Sequence, residues 1–218
     1  MDILELIKSR RSVRRFKNVP VPDELINRVL EAGRWAPSGS NIQPLSFIVI
    51  KDRAIIGKIG RVGMRSVVKR FSKEKEKYAK IYAATQPASE KERKDAATVD
   101  KYVKLIATGG MQSFIQAIPV LIAVCADQRR SPVWQLDAGA AIQNMLLTGH
   151  SLGLGTIWIS GPLAVSECEE EITRLLNVPD NMKIVSFAGL GYPDEAPDPR
   201  RRLSLEERVY YERFGAYE

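Results

Sequence analysis

The sequence predicts an α+β or three-layer α/β fold: a modest central sheet flanked by helices. Two observations carry this. Short apolar runs rich in β-branched residues, at Leu45–Ile50, Pro119–Ala126, Gly155–Ile159 and Met182–Gly191, alternate with longer stretches of helical periodicity, and helix outweighs strand. No internal repeat or low-complexity segment divides the 218 residues, and 44% hydrophobic content suffices for one sizeable core, so a single domain is expected over 1–218.

The elements follow in chain order. Asp2 to Ser9 is predicted helical, with Ile3, Leu6 and Ile7 on one face and Asp2 and Glu5 spaced as a capping box. Its C-terminal end delivers Arg10 and Arg11, where cations suit the helix dipole. Pro22 opens a second helix, with Asp23 and Glu24 in its first turn and Leu25, Ile26, Val29, Leu30 and Gly33 at helical spacing. The turn-forming Pro37-Ser38-Gly39-Ser40-Asn41 closes it, and Leu45–Ile50 then reads as a buried strand. From about 53 to 117 the chain reads as helical and highly charged, Lys/Glu-rich over 71–82 and 91–104 with a break at Thr85-Gln86-Pro87-Ala88-Ser89. This is expected to be a charged helical insertion at about 60–112, either a solvated excursion or a cover over a ligand site. Pro119–Ala126 is the central strand candidate. Trp134–Leu152 is a long helix, apolar nearly all round, whose Ala138-Gly139-Ala140-Ala141 permits close approach of another helix. A strand at Gly155–Ile159, a helix at Val165–Leu176 and a strand at Met182–Gly191 follow. A Pro-rich stretch at 193–199 leads into a tail that is first basic, then aromatic.

Composition narrows the chemistry. One histidine, His150, and two distant cysteines, Cys125 and Cys168, cannot assemble a His-rich or His–Cys metal centre, so no metal is expected, and a disulfide framework is not indicated. His150 could serve as a general base, but its place near the end of an apolar, small-residue helix favours a packed or capping role. No phosphate-cradling G-x-x-x-x-G-K-[ST] occurs, and Gly153-Leu154-Gly155 and Gly189-Leu190-Gly191 lack the third glycine of a dinucleotide fingerprint. No run of 18 apolar residues and no basic leader with an apolar core is present, so neither a membrane span nor secretion is expected and the cytoplasm is the simplest compartment. The net charge of +7 resides partly in two arginine clusters, Arg10-Arg11-Ser12-Val13-Arg14-Arg15 and Arg200-Arg201-Arg202, near opposite ends of the chain. Planar guanidinium forks suit a phosphate, and two such clusters could meet on one. Nucleic acid is disfavoured, because neither cluster has the aromatic neighbours that stack on bases, Phe16 excepted.

Two further segments carry polar chemistry. Pro37-Ser38-Gly39-Ser40-Asn41-Ile42-Gln43-Pro44 offers neutral donors and acceptors between fixing prolines, which suits a polar heterocycle. Gly155-Thr156-Ile157-Trp158-Ile159-Ser160-Gly161-Pro162 is a strand ending in a turn that can present backbone amides.

Taken in order, Arg10-Arg11-Ser12-Val13-Arg14, Pro37-Ser38-Gly39-x-Asn41-x-Gln43-Pro44, Asp137-Ala138-Gly139-Ala140-Ala141-Ile142-Gln143-Asn144, Gly153-Leu154-Gly155-Thr156-x-Trp158-Ile159 and Arg200-x-Arg202-x-Ser204-Leu205-Glu206-Glu207 resemble the FMN-dependent nitroreductase superfamily over nearly the whole chain except about 60–112. The resemblance implies a central mixed sheet flanked by helices in an intertwined homodimer, with FMN at the subunit interface. It implies that Arg10 and Arg202 grip the FMN phosphate, with Arg200 nearby and Ser12 assisting. Arg11 would line the cofactor, and Arg14 would approach the pyrimidine edge of its ring. Pro37, Ser38, Gly39 and Asn41 would come from the other subunit, and Ser160 and Gly161 would offer amides near the reactive edge. Leu45, Gly39 and Ser160 depart from common family residues on the substrate side.

The implied activity is hydride transfer from NADH or NADPH to a small oxidised substrate such as a nitroaromatic or quinone, in alternating half-reactions. The cofactor carries that chemistry, so no side chain is assigned as catalytic. Within the same resemblance stand a reductive dehalogenase of halotyrosines, a flavin-cleaving enzyme and a non-catalytic flavin binder. Glu74 and Tyr78 have the spacing of a dehalogenase lid, but Gln112 stands where its lysine should fall.

Overall fold

The computed structural model describes residues 2–85, 104–105, 108, 110–200 and 202–215, with side chains for all of these except 73–85 and 111. The elements are α1 (Ile3–Ser9), α2 (Asp23–Arg34), β1 (Leu45–Ile50), α3 (Arg53–Thr85), β2 (Val120–Asp127), α4 (Trp134–Ser151), β3 (Gly155–Ile159), α5 (Ser166–Leu175) and β4 (Met182–Gly191). A 3-10 turn at Gly110–Ala117 leads into β2, another at Gly161–Leu163 follows β3, and a short one at Gly39–Asn41 precedes β1.

The strands form one sheet in the order β1-β2-β4-β3. β2 is buried along its whole length, as its unbroken apolar sequence requires of a strand covered on both faces. Its alternate side chains feed two cores. Leu121, Ala123 and Cys125 pack with Ile56, Ile59 and Val62 of α3 and Cys168 and Ile172 of α5. Val120, Ile122 and Val124 pack with Ile26 and Val29 of α2 and Ala138, Ile142 and Met145 of α4. The sheet is therefore sandwiched between helical layers. Val124 pairs with Ser186 but Cys125 pairs with Ile184, which leaves Val185 as the extra residue of a bulge. The bulge lets Ile184 and Phe187, of opposite parity, face the same core.

Three details differ from the sequence reading. The expected mixed sheet is antiparallel in all pairings between these strands, and its parallel component is reduced to an isolated bridge, Ser12 to Thr156. The stretch at 60–112 does not begin as an insertion: α3 starts at Arg53, and Ile56, Ile59, Val62 and Phe71 are buried, an apolar stripe hidden among charges, with the polar Ser66 buried alongside. The helix expected at 91–104 lies outside the described residues apart from Lys104, as do the side chains of Glu74 and Tyr78. Asp2 flanks α1 but makes no side-chain cap, and its carbonyl accepts from Leu6 N instead. Ile3, Leu4 and Ile7, on the apolar face of α1, are exposed. Among the described residues no helix is long and apolar enough to cross a membrane. Cys125 and Cys168 are free and buried, and burial pushes the Cys125 thiol up to about 11.

Candidate functional site

After α1 the chain runs extended beside β3. Ser12 bridges Thr156, and Val13 N donates to Thr156 O at 3.1 Å. Val13 is buried against Gly155, where an added Cβ would come within 2.9 Å of it, so only glycine admits this approach. Extended backbone alternates sides. Arg11 and Val13 accordingly line one cleft with Ser9, His150 and Glu195, of about 300 Å³.

The Pro-rich strap returns from β4 to this segment. Phe16 bridges Pro193, Lys17 N donates to Tyr192 O at 2.9 Å, and Asp194 N donates to Arg15 O at 3.0 Å. Arg11 Nε donates to Asp198 O at 3.3 Å. Arg11 also bonds the carbonyls of Lys8 and Arg10, so its guanidinium holds main chain together where the sequence suggested cofactor lining. The strap ends in Arg200, which is exposed, and leads to Arg202. Arg202 comes close enough to act on Arg10: burial first, then repulsion from Arg11 and Arg202, lowers the Arg10 pKa. Arg10 Nη1 is buried and has no hydrogen-bond partner among the described residues. A half-buried guanidinium with an open donor in the field of two other cations calls for a multiply charged oxyanion. His150 shares the field: burial, then Arg10 and Arg11, lower its pKa.

A second group gathers at the end of β3. Ser160 and Gly161 open a 3-10 turn, whose first amides lack partners within the turn. Their carbonyls accept from Leu163 N and Ala164 N. The side-chain amide of Gln112 lies against Gly161, where an added Cβ would meet it at 2.7 Å, and Gln112 Oε1 is buried with no partner among the described residues. Arg14 reaches the same turn as Gln112, its guanidinium 5.8 Å from the ring centroid of Phe114. One end of the region thus offers a cluster of cations, and the other offers neutral donors and acceptors together with the Arg14 guanidinium.

Pro37, Ser38, Gly39 and Asn41 are not brought to this region within one chain. Ser38 Oγ accepts from Gln43 N at 3.0 Å, Arg130 Nη2 donates to Ile42 O at 2.7 Å, and Gly39 lies by Val133. Ser40, Asn41 and Gln43 hold positive φ, a sharply folded polar loop. Trp35 and Leu136 are each 73% exposed, and Phe214 of the tail is 91% exposed. Glu195, Gln112 and Phe114 were not singled out as site residues by the sequence reading. Glu195 leaves a signal in the sequence, an acid within a proline-rich run, and Gln112 is marked there only by its place where a dehalogenase-lid lysine should fall.

Known proteins bear on this geometry. A model described as the Nitroreductase family matches residues 7–192. A protein of Methanothermobacter thermautotrophicus provisionally named an NADH dehydrogenase/NAD(P)H nitroreductase is 31% identical over 217 residues, covering 98% of this chain and 88% of that one. A crystal structure of oxidised iodotyrosine deiodinase bound to FMN and 3-iodo-L-tyrosine superimposes with a TM-score of 0.71 at 26% identity, covering 97% of this chain and 99% of that one. An FMN-dependent nitroreductase from Clostridium difficile shares the fold, with a TM-score of 0.71 at 22% identity over 97% of this chain and 100% of that one.

Proposed function

The chain belongs to the nitroreductase family, and on that premise we propose that it is an FMN-dependent oxidoreductase that uses NADH or NADPH to reduce small oxidised substrates such as nitroaromatics or quinones. The observation that carries the reading is the buried, unpartnered Nη1 of Arg10 in the field of Arg11 and Arg202. Arg10 and Arg202 would hold the FMN phosphate, with Arg200 and Ser12 beside them. Arg14, kept near Phe114, would place positive charge at the pyrimidine edge of the ring, and Ser160 and Gly161 would direct amides to its reactive edge. The free acceptor Gln112 Oε1 adds a site for a ring N–H at that end.

Bound FMN would supply hydride chemistry between the nicotinamide and a substrate that takes its place in the same cleft. The protein contributes position and electrostatics, and no side chain is required as acid or base. In the proposed homodimer Pro37, Ser38, Gly39 and Asn41 of the partner subunit would complete the cleft, and the exposed faces of α1, α4 and the tail would be buried. Residues 1–218 would form a single FMN-binding domain. A halotyrosine dehalogenase is the weaker reading, since Gln112 offers no cation for a carboxylate.

The test is the purified protein's visible spectrum before and after anaerobic NADH or NADPH. A flavin band that bleaches with either donor supports the reading. A colourless protein that cannot be reconstituted with FMN overturns it, and a flavin band inert to both donors leaves only flavin binding.

A further inference from the structure

Building on the reading of Arg10 and Arg202 as phosphate ligands, we infer that Glu195 is a positioning residue for that site: its carboxylate docks the 193–199 strap onto the 10–16 segment and so sets Arg202 beside Arg10.

The strap has few other means of attachment. Pro193, Pro197 and Pro199 have no N–H, so a backbone ladder cannot continue along it. The backbone bonds to the N-terminal segment come from Tyr192 and Asp194. At the next residue a side chain takes over. Glu195 Oε1 accepts from Arg14 N at 2.5 Å and from Arg15 N at 3.1 Å, and Oε2 lies 3.6 Å from Arg15 Nε. The Glu195 side chain is only 22% exposed, whereas that of Arg15 is 70% exposed. The carboxylate is therefore turned onto two consecutive main-chain amides, and the arginine closes over it from the solvent side. Charge-assisted bonds of this kind are stronger than neutral ones. The bond from Arg11 to Asp198 O ties the strap again just before Arg200.

Charge alone gives no reason for an acid here. A carboxylate among Arg11, Arg14 and Arg15 competes with a phosphate for the same cations. If Glu195 were merely a neighbouring charge, removing it would tighten anion binding. If it positions the strap, removing it loosens anion binding. The two roles predict opposite signs.

The experiment strips flavin from the full-length protein and titrates FMN and riboflavin, which lacks the phosphate, by quenching of flavin fluorescence. Wild type, Glu195→Ala and Glu195→Gln are compared. Wild type is expected to prefer FMN. Glu195→Ala should lose FMN affinity by about tenfold or more, as loss of a charge-assisted bond implies, while riboflavin affinity stays unchanged. Glu195→Gln keeps an acceptor oxygen and should stay within about threefold of wild type, as a retained neutral bond allows. Unchanged or tighter FMN binding by Glu195→Ala overturns the inference alone, provided wild type prefers FMN. So does an equal loss for both flavins, which marks general disorder. A wild type with no preference for FMN overturns the phosphate reading and the inference with it. If the alanine variant does not fold, Glu195→Asp replaces it: one methylene shorter, it should lose the preference that Gln keeps, and identical behaviour of the two refutes the role.

Discussion

His150 Nε2 lies 2.9 Å from Ser9 Oγ, the residue before Arg10, and so the chain's one histidine is wired to the arginine cluster. The contact joins the last turn of α4 to the end of α1. A helix C-terminus ordinarily favours a charged imidazole, yet burial, Arg10 and Arg11 lower the pKa of this one. Desolvation and the neighbouring cations outweigh the dipole.

That balance makes His150 a reporter of anion binding. A phosphate on Arg10 would cancel part of the repulsion, so FMN binding should raise the His150 pKa. The sign follows from linkage: a depressed histidine favours the neutral form, so flavin-free stability falls as pH drops below about 6.5, the unfolded value. FMN binding then takes up protons at His150, so the imidazole should titrate at higher pH with FMN bound than without it. NMR titration of the single imidazole, with and without FMN, reads this directly. An imidazole whose titration ignores FMN would put the phosphate elsewhere.

Arg202→Ala removes the distal half of the cluster. Loss of one charge-assisted contact of about 1.5–3 kcal/mol should weaken FMN binding roughly tenfold to a hundredfold. Arg202→Lys should fall between, because a point charge replaces a planar fork. Riboflavin binding should not change. Equilibrium titration of the three proteins checks this, and equal FMN affinity across them would show that the tail plays no part.

Much of this was legible in the sequence because it follows from local pattern. Leu45–Ile50, Gly155–Ile159 and Met182–Gly191 end where the apolar runs end, and β2 is one residue from its expected bounds at each end. The arginine clusters were visible as clusters, although their meeting could not be read from spacing. What stayed hidden depends on tertiary contacts. The buried stripe of α3 is diluted by surface charge, so Ile56, Ile59 and Val62 did not stand out as core. The bulge at Val185 is a register event between strands with no local signature. Arg11 and Arg14 look equivalent in the sequence, and only the alternation of extended backbone beside Thr156 sends Arg11 to main-chain carbonyls and Arg14 to Phe114.

Gly149 tests the packing of α4 on the sheet. A Cβ there would stand 2.6 Å from Thr156 Cγ2 and 3.4 Å from a Leu190 methyl. Thr156 cannot swing aside freely, since its Oγ1 donates to Leu146 O at 3.2 Å. Gly149→Ala should therefore destabilise by about 1–3 kcal/mol, the usual cost of overpacking a filled core, despite the better helix propensity of alanine. Urea unfolding measures it. A stabilised variant would mean that α4 shifts off β3 without strain.

Asp127 should govern the acid limb of stability. It ends β2 and gathers the loops at that edge of the sheet. Its Oδ1 accepts from Arg129 N at 3.0 Å and Arg129 Nε at 3.2 Å, and its Oδ2 accepts from Asn181 Nδ2 at 3.0 Å. Its backbone N donates to Pro44 O at 2.9 Å, at the entry to β1. The Arg129 side chain foremost, with the Arg129 amide and Asn181, holds the carboxyl at about 2 against the opposing effect of desolvation. A carboxylate depressed in the folded state contributes stability that is present above its unfolded value of about 3.9 and is lost as pH falls toward its folded one. Asp127→Asn removes the charge and turns an NH2 toward groups that are all donors. The variant should melt lower than wild type at pH 7, and the gap should narrow between about pH 4 and pH 2 as the wild-type carboxylate is protonated. Melting curves at several pH values decide it: a gap of constant size would show that Asp127 acts through shape alone, with its charge contributing nothing.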